Sequence, residues 1–590
     1  MQRGDKYRLT AIGGLAALSL DALSSVAYGP EAIVLVLVAA GEAAVSWTLP
    51  VSCAIATLLL VLVVSYRQVI AAYPDGGGAY AVAKKELGRG AALLAAASLV
   101  VDYVLTVAVS LAAGAASLAS AFPALADHLL LLTLIGLAVL TVINLIGVAE
   151  SAKALMGPTI VFIVLIVGVI VVGLLRPGPV TVIGADRGPI QPVEAIGIVL
   201  LLKAFAAGCS SLTGVEAIAN AVPAFRTPAA RRAQHTEMTL GVLLGALLLG
   251  LAVLIRAHHV VPRGDVTILA QLSAAAYGSG WLFYLTNLAV TAVLLLAANT
   301  SFGGLPVLLA LLAKDHRVPS LFALRSERPV FRYGVATLAM LAAVVLMLVD
   351  AETHRLLPVF AIGVFIGFTV SQTGLVRHWL RARGDGWGPR ALLNGFGATL
   401  TAIAAIVLLT EKFTEGAWLL LILIPMLMIS FARTENYYHD VAQQLRLGRI
   451  PPRPHPMPDT TELVVVPVVT LSEVTYRALQ TALRMRGEIV AVAAEIDAAS
   501  IKRLSALWKE WDPGVPLVVL PCPHRSLVAT LVGYIRKQTA GGRGVIVLLA
   551  HVEANRWWRR PLHNPRGPVL TAALRVRTDA VVATLAVRLD

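Results

Sequence analysis

The sequence predicts a polytopic α-helical membrane protein. Twelve transmembrane helices form a five-plus-five inverted repeat, and a C-terminal cytoplasmic α/β domain with a parallel sheet follows. Three observations predict this. Of 590 residues, 58% are apolar and only 14% charged, against about 25% charged for an ordinary globular domain. Between Leu9 and Ala432 apolar stretches follow one another, each long enough to cross a hydrocarbon layer ~30 Å thick. From Arg433 onward the composition is that of a soluble domain. The expected organisation is a transporter body over 1–432, a linker over 433–458 and a regulatory α/β domain over 459–590.

The expected spans are 8–40, 46–71, 92–120, 128–149, 154–176, 195–222, 236–257, 280–312, 333–350, 355–378, 392–410 and 414–432. An even number puts both termini on one side. The N-terminus and the loops after even-numbered spans are rich in cations, among them Lys84, Lys85, Arg231, Arg232, Arg325, Arg328 and Arg381. The opposite loops carry only Arg176, Arg187, Arg256, Arg263, Arg355 and Lys412. This bias places both termini in the cytoplasm. It also accounts for the net charge of +14 without a nucleic-acid partner, since no aromatic stripe interleaves the cations. Cys53, Cys209 and Cys522 are too far apart for a metal motif or a disulfide framework. The N-terminus reads as the start of a span, not as a cleavable signal. No nucleophile–base or metal-ligand constellation appears, so neither enzymatic chemistry nor a resident cofactor is expected.

Ionisable residues inside spans are costly and mark functional positions. Asp21, Asp102, Lys203 and Glu216 stand inside spans, and Glu31 stands near a span end. Two of them accompany helix interruptions. The first runs from Leu18 to Pro30 and contains Ser19, Ser24, Ser25, Gly29 and the proline; the second runs from Gly208 to Glu216. Interruptions in the first and sixth spans are the signature of an inverted repeat in which each half opens with its discontinuous helix. Unwound backbone at membrane depth is tolerated where it lines a cavity, and its carbonyls can replace water around a cation. Asp21 at the first break disfavours a substrate carboxylate there and favours a cation.

In the third span Asp102, Thr106 and Ser110 recur every four residues, so three oxygens share one helix face, flanked by Tyr103. Such a stripe suits a hard, dehydrated cation. Glu216 serves as a ligand or as a proton carrier. The proton role is favoured because Glu216 is expected beyond the break and desolvation brings a carboxyl toward neutral pKa. Lys203 either snorkels to the outer interface or tethers a carboxylate, with snorkelling preferred.

In the tail, 451–456 reads as a stiff proline-rich linker. Strands are expected at 463–468, 489–494, 517–520, 545–549 and 581–587, with helices near 471–485, 498–511 and 526–540. This alternation predicts a parallel sheet with flanking helices. No phosphate-binding loop of the Walker type occurs. His524, Arg525, His563 and Asn564 stand in turns after strands, where such folds bind ligands. Arg556, Trp557, Trp558, Arg559 and Arg560 suit base stacking, a dimer contact or the membrane surface.

Several motifs carry a family resemblance. They include Ser24-Ser25-Val26-Ala27-Tyr28-Gly29 after Asp21, Ser65-Tyr66-Arg67-Gln68, and Tyr73-Pro74-Asp75-Gly76-Gly77-Gly78-Ala79-Tyr80. Val101–Ser110, Leu212–Ile218 with Pro223-Ala224-Phe225, Ala298-Asn299-Thr300, Gly363-Val364-Phe365 and Ser371-Gln372-Thr373-Gly374 complete them. The chain resembles the amino acid–polyamine–organocation (APC) transporter superfamily, with its LeuT-like fold, and within it the KimA family of bacterial potassium uptake proteins. The resemblance implies potassium import by proton symport in a bacterial cell membrane, and a homodimer with swapped cytoplasmic domains. It also implies inhibition by cyclic di-AMP at the tail. Carried over by position, it implies potassium ligands at Asp21, Tyr28, Asp102, Tyr103, Thr106, Ser110 and Thr213, with Glu216 in proton coupling. Phe360 departs from the family pattern, which has Tyr there, and so removes one hydroxyl. The competing readings are an amino-acid or organic-cation permease of the same architecture, and a membrane receptor whose tail signals.

Overall fold

The computed structural model describes residues 8–588, apart from 77, 148–151, 177, 186–191, 265, 324–330, 445–461, 486, 496–497, 523–526, 541 and 554–565. It divides into two units, Met1–Leu447 and Gly448–Asp590.

In the first unit, eleven helices among the described residues are long and apolar enough to cross a membrane. A shorter apolar helix, Arg332–Leu348, falls on the ninth predicted span. Its 17 residues rise about 26 Å at 1.5 Å per residue, slightly less than the hydrocarbon thickness. A total of twelve is compatible with this. The regular spans are Thr48–Ala72, Arg89–Ala121, Leu129–Ile146, Ala152–Leu175, Ala229–His258, Trp281–Lys314, Thr353–Ala382, Trp387–Glu411 and Trp418–Gln444. The last helix thus continues well past the predicted membrane exit at 432. The third span, Arg89–Ala121, is buried along most of its length and packs against the eighth, Trp281–Lys314, and the tenth, Thr353–Ala382.

The first and sixth spans are both discontinuous. The first consists of Ala11–Leu18, the five-residue helix Leu20–Ser24, a tight turn at Ser25–Ala27 and Gly29–Leu37. Pro30 lies in the first turn of that last segment, where its missing N–H leaves no donor unmet. The sixth runs Ile198–Gly208, tightens over Cys209–Leu212, unwinds at Thr213–Glu216 and resumes as Ala217–Asn220. Thr213 is extended (ψ 152°) and Gly214 has φ +78°, a left-handed conformation that costs glycine nothing.

Two helices were not foreseen. Ile268–Tyr277 is a short buried helix between the seventh and eighth spans, capped by Thr267, whose Oγ1 accepts from Ala270 N. Gly78–Val82 continues into a wide turn, Ala83–Leu87, after the second span. Both are too short to leave a clear hydrophobic period.

In the C-terminal unit, strands β1 (Leu463–Pro467), β2 (Glu488–Glu495), β3 (Leu517–Pro521), β4 (Val545–Glu553) and β5 (Val581–Arg588) form one sheet of order β3-β2-β1-β4-β5. All its pairings are parallel, as the sequence predicts. Alternation along β1 builds two cores. Leu463 and Val465 pack with Leu531, Ile535, Leu570 and Leu574; Val464 and Val466 pack with Leu479, Leu504 and Trp508 on the other face. Helix Arg566–Arg577 was not predicted. A parallel connection from β4 to β5 needs such a crossover, and the pair Leu570 and Leu574, one turn apart, is its mark.

Candidate functional site

The two helix breaks meet each other. Serine hydroxyls replace part of the lost helical bonding: Ser24 Oγ donates to Asp21 O at 2.8 Å. Ser25 Oγ lies 2.6 Å from Ala22 O and 2.7 Å from Ser211 O, so one hydroxyl spans both breaks. A side chain at Gly29 would collide with Ser211. At Gly214, a Cβ would stand 2.6 Å from Ala22 N and 2.7 Å from Asp21 Oδ2. The backbone of the sixth span therefore lies directly against the Asp21 carboxylate. Tyr28 Oη and Thr213 Oγ1 are hydrogen-bonded across the breaks at 3.3 Å.

The third span completes the site. Asp102 faces Glu216, and both lie within electrostatic range of Asp21, as do Tyr28 and Tyr103. Asp21 and Asp102 are each 8% exposed and Glu216 is 5% exposed. Thr106 and Ser110 continue the buried face of the third span. Several membrane threonines, including Thr133, Thr141 and Thr159, bond back to their own helix carbonyls. Ser110 Oγ does not: it is buried with no partner, and so is Asp21 Oδ1. Oxygens left free in this way are what a desolvated cation requires.

Three placements differ from the sequence reading. Glu216 ends the unwound stretch, immediately before the segment that follows it and without capping it through its side chain, so it lies within the break, not beyond it. Positive φ at Gly214 extends the unwinding further than the serines alone suggest. Asp21 lies in the short helix between two irregularities, at Ser19 and Ser25, and not in an unwound segment. Lys203, for which snorkelling is the preferred sequence reading, tethers carboxylates: Nζ lies 2.9 Å from Glu411 Oε2 and 3.2 Å from Glu194 Oε1. Glu31 accepts from Ile268 N at 3.4 Å, placing a carboxylate at the start of the short buried helix. Phe360 is fully buried in the tenth span. His524, Arg525, His563 and Asn564 lie outside the described residues, as do 556–560.

Sequence reasoning assigned no role to Tyr66. Its Oη donates to Glu216 Oε2 at 3.4 Å, and only the packing of the second span against the break reveals this.

Residues 15–431 match the family described as amino acid permease. Residues 460–587 match the one described as KimA potassium transporter C-terminal domain. Across 99% of this chain and 96% of the relative, identity is 37% to the potassium transporter KimA of Bacillus subtilis (strain 168). The chain belongs to the KimA family. It is therefore a multi-pass membrane protein of a transporter family and not an enzyme.

The glycine-rich segment of this KimA-family chain has a structural reason. Gly76 (φ +79°) and Gly78 (φ +43°) abut the backbone and side chain of Asn220, at the end of the sixth span. The flanking tyrosines make latches beyond the end of the second span. Tyr73 Oη donates to Glu86 Oε1 at 2.9 Å, as does His378 Nδ1 at 2.9 Å. Tyr80 Oη and Lys84 Nζ donate to Asp315 Oδ2 at 2.6 and 2.7 Å. Burial alone would push the Glu86 carboxyl up, but the bonds from His378 and Tyr73 and the Arg381 charge outweigh it and hold it below its ordinary value. A carboxylate lowered in the folded state stabilises above its unfolded pKa, and this is lost as pH falls through the folded value. Glu86→Gln is therefore expected to lower stability by about 1–2 kcal/mol at neutral pH. In thermal melts of the detergent-solubilised protein the deficit should be constant near neutrality and vanish only in acid.

Proposed function

We propose that the chain imports potassium ions together with protons across a bacterial cell membrane, with both termini in the cytoplasm. One observation carries this reading: Asp21, Asp102 and Glu216 come from three separate spans to a single buried site bounded by two helix breaks. A small cation with ligands of this kind sheds its water against carboxylate, hydroxyl and carbonyl oxygens. Asp21, Tyr28, Asp102, Tyr103, Thr106, Ser110 and Thr213 supply such oxygens. Phe360 supplies none, so the ligand set rests on the others. The similarity to a potassium transporter selects the ion.

Glu216 is the coupling group in this reading. It faces Asp102, so a proton on either carboxyl relieves the repulsion between them, and a cation entering the site competes with that proton. In proteoliposomes, Glu216→Gln is expected to retain rubidium and potassium binding while losing uptake driven by a pH gradient. Loss of binding itself would make Glu216 a ligand instead.

The match to the amino acid permease family supports a second reading, an amino-acid or organic-cation carrier. Asp21 against the break opposes a substrate carboxylate, which leaves organic cations as the sharper rival. Expression in a strain lacking potassium uptake discriminates them. Growth at limiting potassium with rubidium accumulation supports ion import, whereas accumulation of amines or amino acids without rubidium flux supports the permease. Absence of any flux, with ligand-dependent rearrangement of the tail, would favour a receptor.

Regulation by cyclic di-AMP belongs to the same proposal. The doubly wound order places a switch point between β1 and β4, and ligands bind at the carboxyl ends of strands at such a point. His563 and Asn564 follow β4 in sequence, and His524 and Arg525 follow β3. A homodimer exchanging these domains completes the reading.

A further inference from the structure

The seventh span, Ala229–His258, carries a carboxyl that the ion site does not use. Glu237 is fully buried, and neither of its side-chain oxygens has a partner. Its orientation follows from small residues farther along the helix. Gly245 abuts Leu59 of the second span, and Gly241 abuts Val63. The two helices run antiparallel, so four residues on one match four on the other. The next position in this stripe sets Glu237 opposite Arg67. At the same level Gln234 Nε2 donates to Arg67 O at 2.9 Å. Arg67 is half-buried, and its Nε is buried and unpartnered. Glu237 and Arg67 thus face each other without closing an ion pair.

Tyr66 is the neighbour of Arg67 and bonds to Glu216 Oε2. Its hydroxyl lies within electrostatic range of both Glu216 and Glu237. Among the elements packed against the seventh span, Ala11–Leu18, Ser25–Ala27, Ala217–Asn220 and Val222–Ala224 bear no ionisable side chain, while Gly29–Leu37, Glu42–Trp47 and Ala152–Leu175 carry Glu31, Glu42 and Lys153. Asp21 on Leu20–Ser24 belongs to the ion site. Arg67 and Tyr66 on the second span are the groups that face Glu237. A buried carboxyl without donors is costly as an anion and stable when it takes up a proton. Arg67 offers it a counter-charge once the proton has left.

We propose that Glu237 is a second proton-carrying carboxyl, which passes the transported proton between Glu216 and the side of the membrane that carries the termini, with Tyr66 as the bridge. The transfer balances. The Tyr66 hydroxyl, which here donates to Glu216 and not to Glu237, turns toward Glu237. The Glu216 acid then gives its proton to the Tyr66 oxygen while Tyr66 gives its own to the Glu237 carboxylate, leaving Glu216 ionised and Tyr66 unchanged. Glu237 then releases the proton to water beside Arg67. This rests on the proton-coupled reading above.

The test uses full-length protein in proteoliposomes and follows two fluxes of rubidium: net uptake driven by a pH gradient, and exchange of external rubidium for internal potassium, which moves no net proton. In Glu237→Gln, net uptake is expected to fall about a hundredfold, the scale of a lost proton-transfer group, with exchange unchanged. Tyr66→Phe should behave alike, and Glu237→Asp should restore gradient-driven uptake. Wild-type net uptake in Glu237→Gln, or equal loss of both fluxes in Glu237→Gln and Glu237→Asp, would overturn the relay; the second result would make Glu237 a packing residue. Should the wild-type protein exchange rubidium but ignore the pH gradient, the proton-coupled reading fails, and the relay with it.

Discussion

Asp102→Asn is expected to abolish potassium uptake while leaving the fold intact. The substitution keeps size and shape on a helix buried along most of its length, so packing is conserved. It removes the charge that faces Glu216 and shares the site with Asp21. Once the ion is bound it is the counter-charge of these carboxylates, and removing one partner of such a buried charge set costs about 3–5 kcal/mol, which corresponds to at least about a hundredfold in ion affinity. Rubidium uptake by potassium-uptake-deficient cells measures it directly. Melting of the detergent-solubilised variant provides the control, since an unchanged transition separates lost binding from lost folding. Uptake close to wild type would remove Asp102 from the ligand set and with it the oxygen stripe on the third span.

Gly214→Ala is the second large effect, although it alters no ligand side chain. A Cβ at this position meets the Ala22 amide and the Asp21 carboxylate, neither of which is the loose end of a flexible chain. The backbone is also left-handed there, at φ +78°, which costs a non-glycine residue about 1–2 kcal/mol before any collision. Asp21 must shift or the break must open, and either change separates the carboxylate from Tyr28 and Thr213. Transport should be lost and the melting temperature lowered. Gly303→Ala is the matched control: nothing stands within 4 Å of its Cβ position, and alanine should preserve uptake. Transport by Gly214→Ala would mean that the close approach of the two breaks is dispensable.

Much of the fold was legible because it is written in local periodicities. Apolar runs located the membrane helices, and the shorter apolar helix Arg332–Leu348 overlaps the predicted ninth span. Strand–helix alternation located all five strands of the tail. What escaped was short or conditional. Ile268–Tyr277 has ten residues, too few for a distinctive pattern. Arg566–Arg577 mixes arginines with only two leucines that reach the core.

The candidate site was only partly legible. Buried charge and helix-breaking composition singled out Asp21, Asp102 and Glu216, because carboxylates in a hydrocarbon environment are too costly to be incidental. Nothing local revealed that Tyr66 bonds to Glu216. Glu237 was hidden at the edge of a predicted span, where a carboxylate normally reaches water. Its burial depends on Gly241 and Gly245 letting the seventh span close onto the second.

By itself, the sequence determined where the chain crosses the membrane, where its helices break and how its tail is layered, since each follows from propensity and polarity within a few turns of chain. Only the tertiary structure decided which carboxylates share a pocket, which hydroxyls span the two breaks and which glycines permit the approach. Those contacts join residues far apart in the chain, Tyr28 and Thr213 among them. Their geometry is set by helix packing at a scale of ångströms that no local pattern encodes.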